Sequence, residues 1–168
     1  MDRPQLLSMT AAEMEEAVGG GFRARQIVEW VRKGADFSEM SNLPKPLRAS
    51  LAEQFLSNPV TIREAIREGE TEKYLYALPD GNVIEGVKLK YHYGSTLCVS
   101  TQVGCAMGCA FCASTLDGCV RNLTSGEMLG QIVAVNRRLQ GDGERLKNAV
   151  LMGSGEPLAN YDNTIRFL

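Results

Sequence analysis

Four of the chain's five cysteines, Cys98, Cys105, Cys109 and Cys112, stand in one stretch, CVSTQVGCAMGCAFCAS, and the fifth, Cys119, follows it closely. Thiols gathered in one loop, and odd in number, do not cross-link a fold. They argue against a disulfide framework and for a metal or catalytic use of reduced sulfur. The flanking segments locate the loop. STLCVS before it is strand-like. TSGEMLGQIVAVNRRL after it opens with a T-x-x-E capping box, Thr124 to Glu127, and continues as an amphipathic helix through Met128, Ile132, Val135 and Leu139. NAVLMG reads as a short buried strand, followed by the loop SGEPLANYDN and the start of another helix. Strand, loop, helix, strand, loop, helix is the grammar of a parallel α/β layer. Ligands sit at the carboxyl ends of the strands in such layers. Loops 101–124 and 153–162 both fall there.

The chain ahead of these elements has a different texture. Thr10 and Glu13 form another capping box, and Gly19 to Gly21 supply a stop. FRARQIVEWVRK predicts a helix with Phe22, Ile27, Trp30 and Val31 on one face. LPKPLRASLAEQF predicts a third, with Pro46 near its first turn. From residue 72 the period changes: TEKYLYAL and NVIEGVKLK read as strands joined by the turn PDGN. The expectation is a small helical module over 1–74 and an α/β unit over 75–168. The net charge of −2 does not announce a nucleic-acid binder, so any RNA would be gripped by local patches. Arg23, Arg25, Arg32 and Lys33 could form one; a solvated helix face is the plainer reading. No apolar run reaches the roughly 18 residues of a membrane span. The opening residues do not read as a signal peptide. A cytoplasmic, membrane-free protein is the expectation.

Three readings compete for the cysteine loop. Structural zinc takes four tetrahedral ligands, usually as two separated pairs. Here one loop offers three, and the only histidine, His92, lies outside it and reads as a surface residue. Cys98 or Cys119 would have to complete the set. A redox pair or plain buried thiols is the second reading. The third is an iron–sulfur cluster, in which three closely spaced thiolates wrap three corners of a four-iron cube and leave one iron open to a substrate. Gly104 and Gly108 would let the backbone turn its N–H groups toward the anionic cluster.

C-x-x-x-C-x-x-C at a strand's carboxyl end, with Phe111 ahead of the last cysteine, resembles the radical S-adenosylmethionine enzymes. GSGEP resembles the stretch that meets the amino group of their bound methionine moiety. The longer string TLCVSTQVGCAMGCAFCAS…RNLTSGEMLGQI…LMGSGEPLANYDN is similar to the RlmN/Cfr family of RNA adenine methyltransferases, and closer to its carbon-2 branch than to its carbon-8 branch. The likeness runs from about residue 80 to the end, and the helical part fits that family's accessory domain.

The resemblance implies an α/β fold, with a helical accessory domain followed by the opening part of a partial (β/α) barrel. It implies that Cys105, Cys109 and Cys112 hold a four-iron, four-sulfur cluster (4Fe–4S). Gly155 and Glu156 would meet the amino group of S-adenosylmethionine. Cys98 would resolve an enzyme–RNA crosslink, and Glu85 would accept a proton, although by itself Glu85 reads as an ordinary strand carboxylate. Cys119 has no implied role and reads as an apolar filler. The implied partners are ribosomal and transfer RNA and an electron donor such as flavodoxin, with the full-length protein a monomer. In the implied reaction a methyl-cysteine is activated by a 5′-deoxyadenosyl radical, adds to carbon 2 of adenine, and is released through a disulfide to Cys98. The methyl-carrying cysteine matches none of the five by position. The chain therefore reads as the family's N-terminal half, and the alternative reading is a non-catalytic zinc- or cluster-stabilised RNA-binding fragment.

Overall fold

The computed structural model describes residues 3–168, so the first two residues of the expected helical module lie outside it. Both capping boxes form. Thr10 and Glu13 cap α1 (Ala11–Val18), and Thr124 and Glu127 cap α4 (Ser125–Leu139), each side chain bonding the other residue's backbone N–H. Each box satisfies two amides that a helix start leaves free. Helix α2 (Gly21–Arg32) buries Ala24, Ile27 and Val31. Phe22, expected on that face, is instead 72% exposed: it stands in the first turn, ahead of the segment that packs. Helix α3 (Lys45–Gln54) carries Pro46 in its first turn, where a missing N–H costs nothing.

Five strands form one sheet in the order β1-β2-β3-β4-β7. These are β1 (Thr61–Glu68), β2 (Thr71–Ala77), β3 (Val83–Tyr91), β4 (Gly94–Cys98) and β7 (Leu146–Val150). The first four pair antiparallel, and β4 pairs parallel with β7 through the crossover helix α4. Two short strands, β5 (Gln102–Gly104) and β6 (Cys119–Asn122), form a separate ribbon at the neck of the cysteine loop. The chain ends in α5 (Tyr161–Phe167). The result is the expected α/β architecture, a helical part followed by a partial sheet.

Two elements depart from the sequence pattern. Strand β1 precedes residue 72, where strand periodicity was first expected, and the boundary at 74/75 passes through β2. TIREAIRE repeats with a period of four rather than alternating in hydropathy. It becomes a strand only by pairing with β2 at the sheet edge, with a bulge between Ile62 and Glu64. Strand β7, expected to be buried, has Lys147, Asn148 and Ala149 exposed, because it stands at the other edge with β4 on one side only.

Helix α4 unites the molecule. Met128, Val135 and Leu139 pack with Tyr74, Tyr76, Ile84, Leu97 and Val99 in the core over the sheet. Val133 packs instead with Leu6, Ile27, Val31, Met40 and Phe55 among the N-terminal helices. Gly126 and Gly130 bring other segments close: a Cβ on either would strike Ser8 or Asn58 and Val60. Glu72, buried on β2, ties the sheet to α4 by accepting from Tyr74 at 2.8 Å and pairing with Arg138 at 3.0 Å and Lys88 at 3.4 Å.

Candidate functional site: two loops at the carboxyl ends of β4 and β7

Beyond Cys98 the chain runs on through residues 99–102, and the loop after β7 closes onto it. Val99 N–H donates to the Val150 carbonyl at 2.8 Å, Gly153 N–H to Val99 at 3.1 Å, and Thr101 N–H to Ser154 at 2.8 Å. Side chains complete the seam. Ser154 N–H donates to Ser100 Oγ at 2.9 Å, and Glu156 N–H to Gln102 Oε1 at 2.9 Å. Gly155 lies at φ +101°, and a Cβ there would meet Gln102, including its backbone nitrogen at 2.7 Å. Only glycine fits a left-handed position pressed against another backbone. Glu156 uses one carboxylate oxygen to accept Leu158 N–H at 3.0 Å.

The cysteine loop has a closed neck. Gln102 pairs with Asn122, Val103 with Arg121 and Gly104 with Cys119, and Cys105 N–H donates to the Gly118 carbonyl at 2.9 Å. Arg121 anchors the neck: it grips the buried Glu127 with two bonds of 2.8 Å and Asp80 of the β2–β3 turn with one of 2.6 Å. Asp80 is held at about 2, chiefly by Arg121, with Asn82 adding to it. At the loop's exit Ser114 Oγ meets Ser154 Oγ at 3.0 Å, so the two unusual loops touch.

Within this frame Cys105 is buried, Cys112 half-buried and Cys109 exposed, and all five cysteines are free thiols. The N–H groups of residues 106–111 have no acceptor among the described residues. No three His, Cys, Asp or Glu side chains among the described residues converge on one point. A zinc ion needs such convergence of its ligands. A four-iron cube does not need it, because each cysteine ligates a different iron. Three separated thiols on a loop with free N–H groups and left-handed Gly104 and Gly108 fit that group.

Glu85 and Cys98 share the sheet face away from α4. Ile84, Gly86 and Lys88 alternate toward the helix, leaving Glu85 and Val87 opposite, and Val87 pairs with Cys98. Glu85 and Cys98 are thus diagonal neighbours, about 7–8 Å apart. Glu85 lines a cleft of about 380 Å³ with Val103, Gly104, Ser114, Asp117 and Ser154, and pairs with Lys73 at 2.8 Å. Cys98 is half-buried, and burial pushes its thiol upward from the ordinary value. Cys119 begins β6, and His92 lies exposed in a turn. Arg25 is exposed on α2, whereas Arg23 donates to Gln26 at 3.3 Å.

Sequence reasoning missed Ser100, Gln102 and Gln131. Gln131 of α4, with no exposure, accepts Ser100 N–H at 3.0 Å and donates to the Ser100 carbonyl at 2.9 Å. Ser100 Oγ in turn donates to the Glu85 carbonyl at 2.6 Å. The available signal was the polar run Ser100, Thr101, Gln102 directly after the strand Gly94–Cys98.

Residues 2–56 match the family model for the ribosomal RNA large subunit methyltransferase N-terminal domain, RlmN_N. A probable dual-specificity RNA methyltransferase RlmN of Alkaliphilus oremlandii is 53% identical over 175 residues, covering 100% of this chain and 50% of that protein. The protein of that name from Clostridium beijerinckii is 49% identical over 170 residues, covering 97% of this chain and 47% of its own length. The crystal structure of a radical SAM methyltransferase from Sphaerobacter thermophilus superposes with a TM-score of 0.92 at 46% identity, over 98% of this chain and 50% of that one. The chain thus spans about half the length of the relatives it matches. By sequence and by fold, it matches the N-terminal half of the RlmN proteins.

Proposed function

We propose that this chain carries the cluster- and cofactor-binding part of a radical S-adenosylmethionine methyltransferase acting on carbon 2 of an adenine in ribosomal and transfer RNA. The observation that supports this best is the seam between residues 99–102 and 153–156, which sets the SGEP loop beside the cysteine loop. Cys105, Cys109 and Cys112 would hold the 4Fe–4S cluster, and Gly155 and Glu156 would meet the amino group of S-adenosylmethionine. A carboxylate beside an ammonium group is apt for that contact. When bound, the cluster and S-adenosylmethionine supply one-electron chemistry at an aromatic carbon that has no good nucleophile. Glu85, which lines the cleft, would accept a proton, and Cys98, on the same sheet face, would provide the thiol that releases the product. An electron donor such as flavodoxin and a monomeric state complete the reading.

The test is anaerobic reconstitution with iron and sulfide, then reduction in the presence of methyl-labelled S-adenosylmethionine and RNA. The expected result is a brown protein with iron and sulfide in equal amounts that releases methionine. Both properties should disappear in Cys109→Ala and survive in Cys119→Ala. A protein that retains zinc and takes up no sulfide would overturn the reading in favour of an RNA-binding module. Label in 2-methyladenosine is expected only from a full-length relative, because none of the five cysteines here matches the methyl carrier.

A further inference from the structure

The end of the sheet opposite the cysteine loop carries chemistry that the candidate site does not use. Strands β3 and β4 join there through the two-residue turn His92–Tyr93. Tyr91 and Tyr93 stack with ring centroids 5.0 Å apart and planes 11° apart, and His92 meets Tyr93 edge-on at 5.0 Å. The tyrosines are 42% and 55% exposed. A stacked pair held at a hairpin tip contributes little to a core, but it presents a flat ring to whatever approaches.

Cations continue from that tip. The stem of Lys147 lies against Gly94, the residue after Tyr93. Lys90, beside Tyr91, pairs with Glu144 at 2.9 Å. Glu144 lines a groove of about 420 Å³ with Arg32, Lys33, Gln140 and Arg145, between the carboxyl ends of α2 and α4. Glu144 is held ionised and paired there: Lys90 keeps its carboxyl below the usual range, with Lys88 and Arg67 adding to the positive field. Asp142 is a further carboxylate on the same turn. Arg32, Lys33, Arg145 and Lys147 have no carboxylate partner among the described residues.

We propose that this surface is a second RNA-contact site, in which Tyr91 and Tyr93 stack an unpaired base and Arg32, Lys33, Arg145 and Lys147 take the neighbouring phosphates. The inference rests on the RNA reading above. A ring face accepts any base, and cations without carboxylate partners release condensed counterions when they meet phosphate. The rise along β4 and its extended continuation to Thr101 puts the surface up to about 23 Å from the cysteine loop. The nucleotide held there is therefore not the one that reacts, and its contact contributes affinity and register.

The test is fluorescence anisotropy with this chain, using a labelled single-stranded RNA oligonucleotide, the same oligonucleotide made abasic, and a series of salt concentrations. Tyr91→Ala with Tyr93→Ala should weaken binding by about 5- to 150-fold with little change in salt dependence. Replacing Tyr91 and Tyr93 by Phe should restore affinity. The wild-type protein should bind the abasic oligonucleotide more weakly, a preference that the alanine pair loses. Arg32→Ala, Lys33→Ala, Arg145→Ala and Lys147→Ala together should flatten the log–log salt slope by about 0.7 for each phosphate contact removed. Wild-type protein that binds both oligonucleotides equally, or variants that bind RNA as wild type does, would overturn this site and leave the RNA reading standing. Wild-type protein that binds no RNA would overturn both.

Discussion

Gly104 shows how one residue sets the neck of the cysteine loop. It lies at φ +74°, and a Cβ there would fall on the Gly118 carbonyl oxygen, whereas Gly108, at φ +66°, opens onto free space. Alanine at Gly108 should cost about 1–2 kcal/mol, the ordinary penalty of a left-handed residue. Alanine at Gly104 should cost at least about twice that, because rigid backbone must move aside as well. Urea unfolding of the two variants checks this, and equal losses would show that the neck has room. Asp80 offers a test by pH. Arg121 holds it at about 2, below its ordinary 3.8, so the folded state prefers the charged carboxylate. That stabilisation is complete above about pH 4 and is lost as the pH falls through about 2. Because the Asp80 side chain is 39% exposed, solvent screening keeps the effect small. The stability gap between wild type and Asp80→Asn should narrow steadily from pH 4 to pH 2; a gap independent of pH would contradict the ion pair.

At the scale of elements, α4 does more than cover the sheet. Gln131 supplies an acceptor and a donor to the backbone of Ser100, so the helix holds the strand extension against which the SGEP loop closes. Gln131→Leu keeps a similar volume and adds hydrophobicity, yet it leaves Ser100 N–H and C=O without these partners. At about 1–3 kcal/mol for each of the two orphaned groups, the variant should lose about 2–6 kcal/mol. Thermal denaturation would reveal it, and a neutral or stabilising outcome would mean that Ser100 finds other partners. The same geometry predicts weaker binding of S-adenosylmethionine in the reconstituted variant, since the seam sets Gly155 and Glu156.

For the whole molecule, the two apolar clusters are not independent. Val133 belongs to the helical cluster, while its neighbours on α4 belong to the sheet cluster. Polar ties reinforce the junction: Thr124 Oγ1 donates to Gln5 at 2.6 Å, Gly126 N–H to Ser8 Oγ at 3.0 Å, and Arg137 pairs with Glu39 at 2.8 Å. Residues 3–168 should therefore unfold in a single calorimetric transition, with the calorimetric and van't Hoff enthalpies equal. Two resolved transitions would show that the helical part melts separately from the sheet.

Both capping boxes, the PDGN turn and the strand-to-loop position of the cysteines could be read directly from the chain, because each depends on residues within a few positions of one another. A Thr-x-x-Glu pair at a helix start satisfies amides within its own first turn, and the spacing of Cys105, Cys109 and Cys112 keeps them within eight residues of one another. Assignments that depend on a distant partner could not be read in this way. TIREAIRE is a strand because β2 accepts it, β7 is exposed because only β4 flanks it, and Phe22 faces water because the packed part of α2 begins after it. The common face of Glu85 and Cys98 follows from the β3–β4 register, which a slip of one residue would reverse. Ser100 and Gln131 are 31 residues apart, and their bond exists only because α4 crosses back over the sheet. Local hydrogen bonds are written in short sequence patterns; register, edge position and crossover packing depend on which segments meet, and the tertiary structure supplies that.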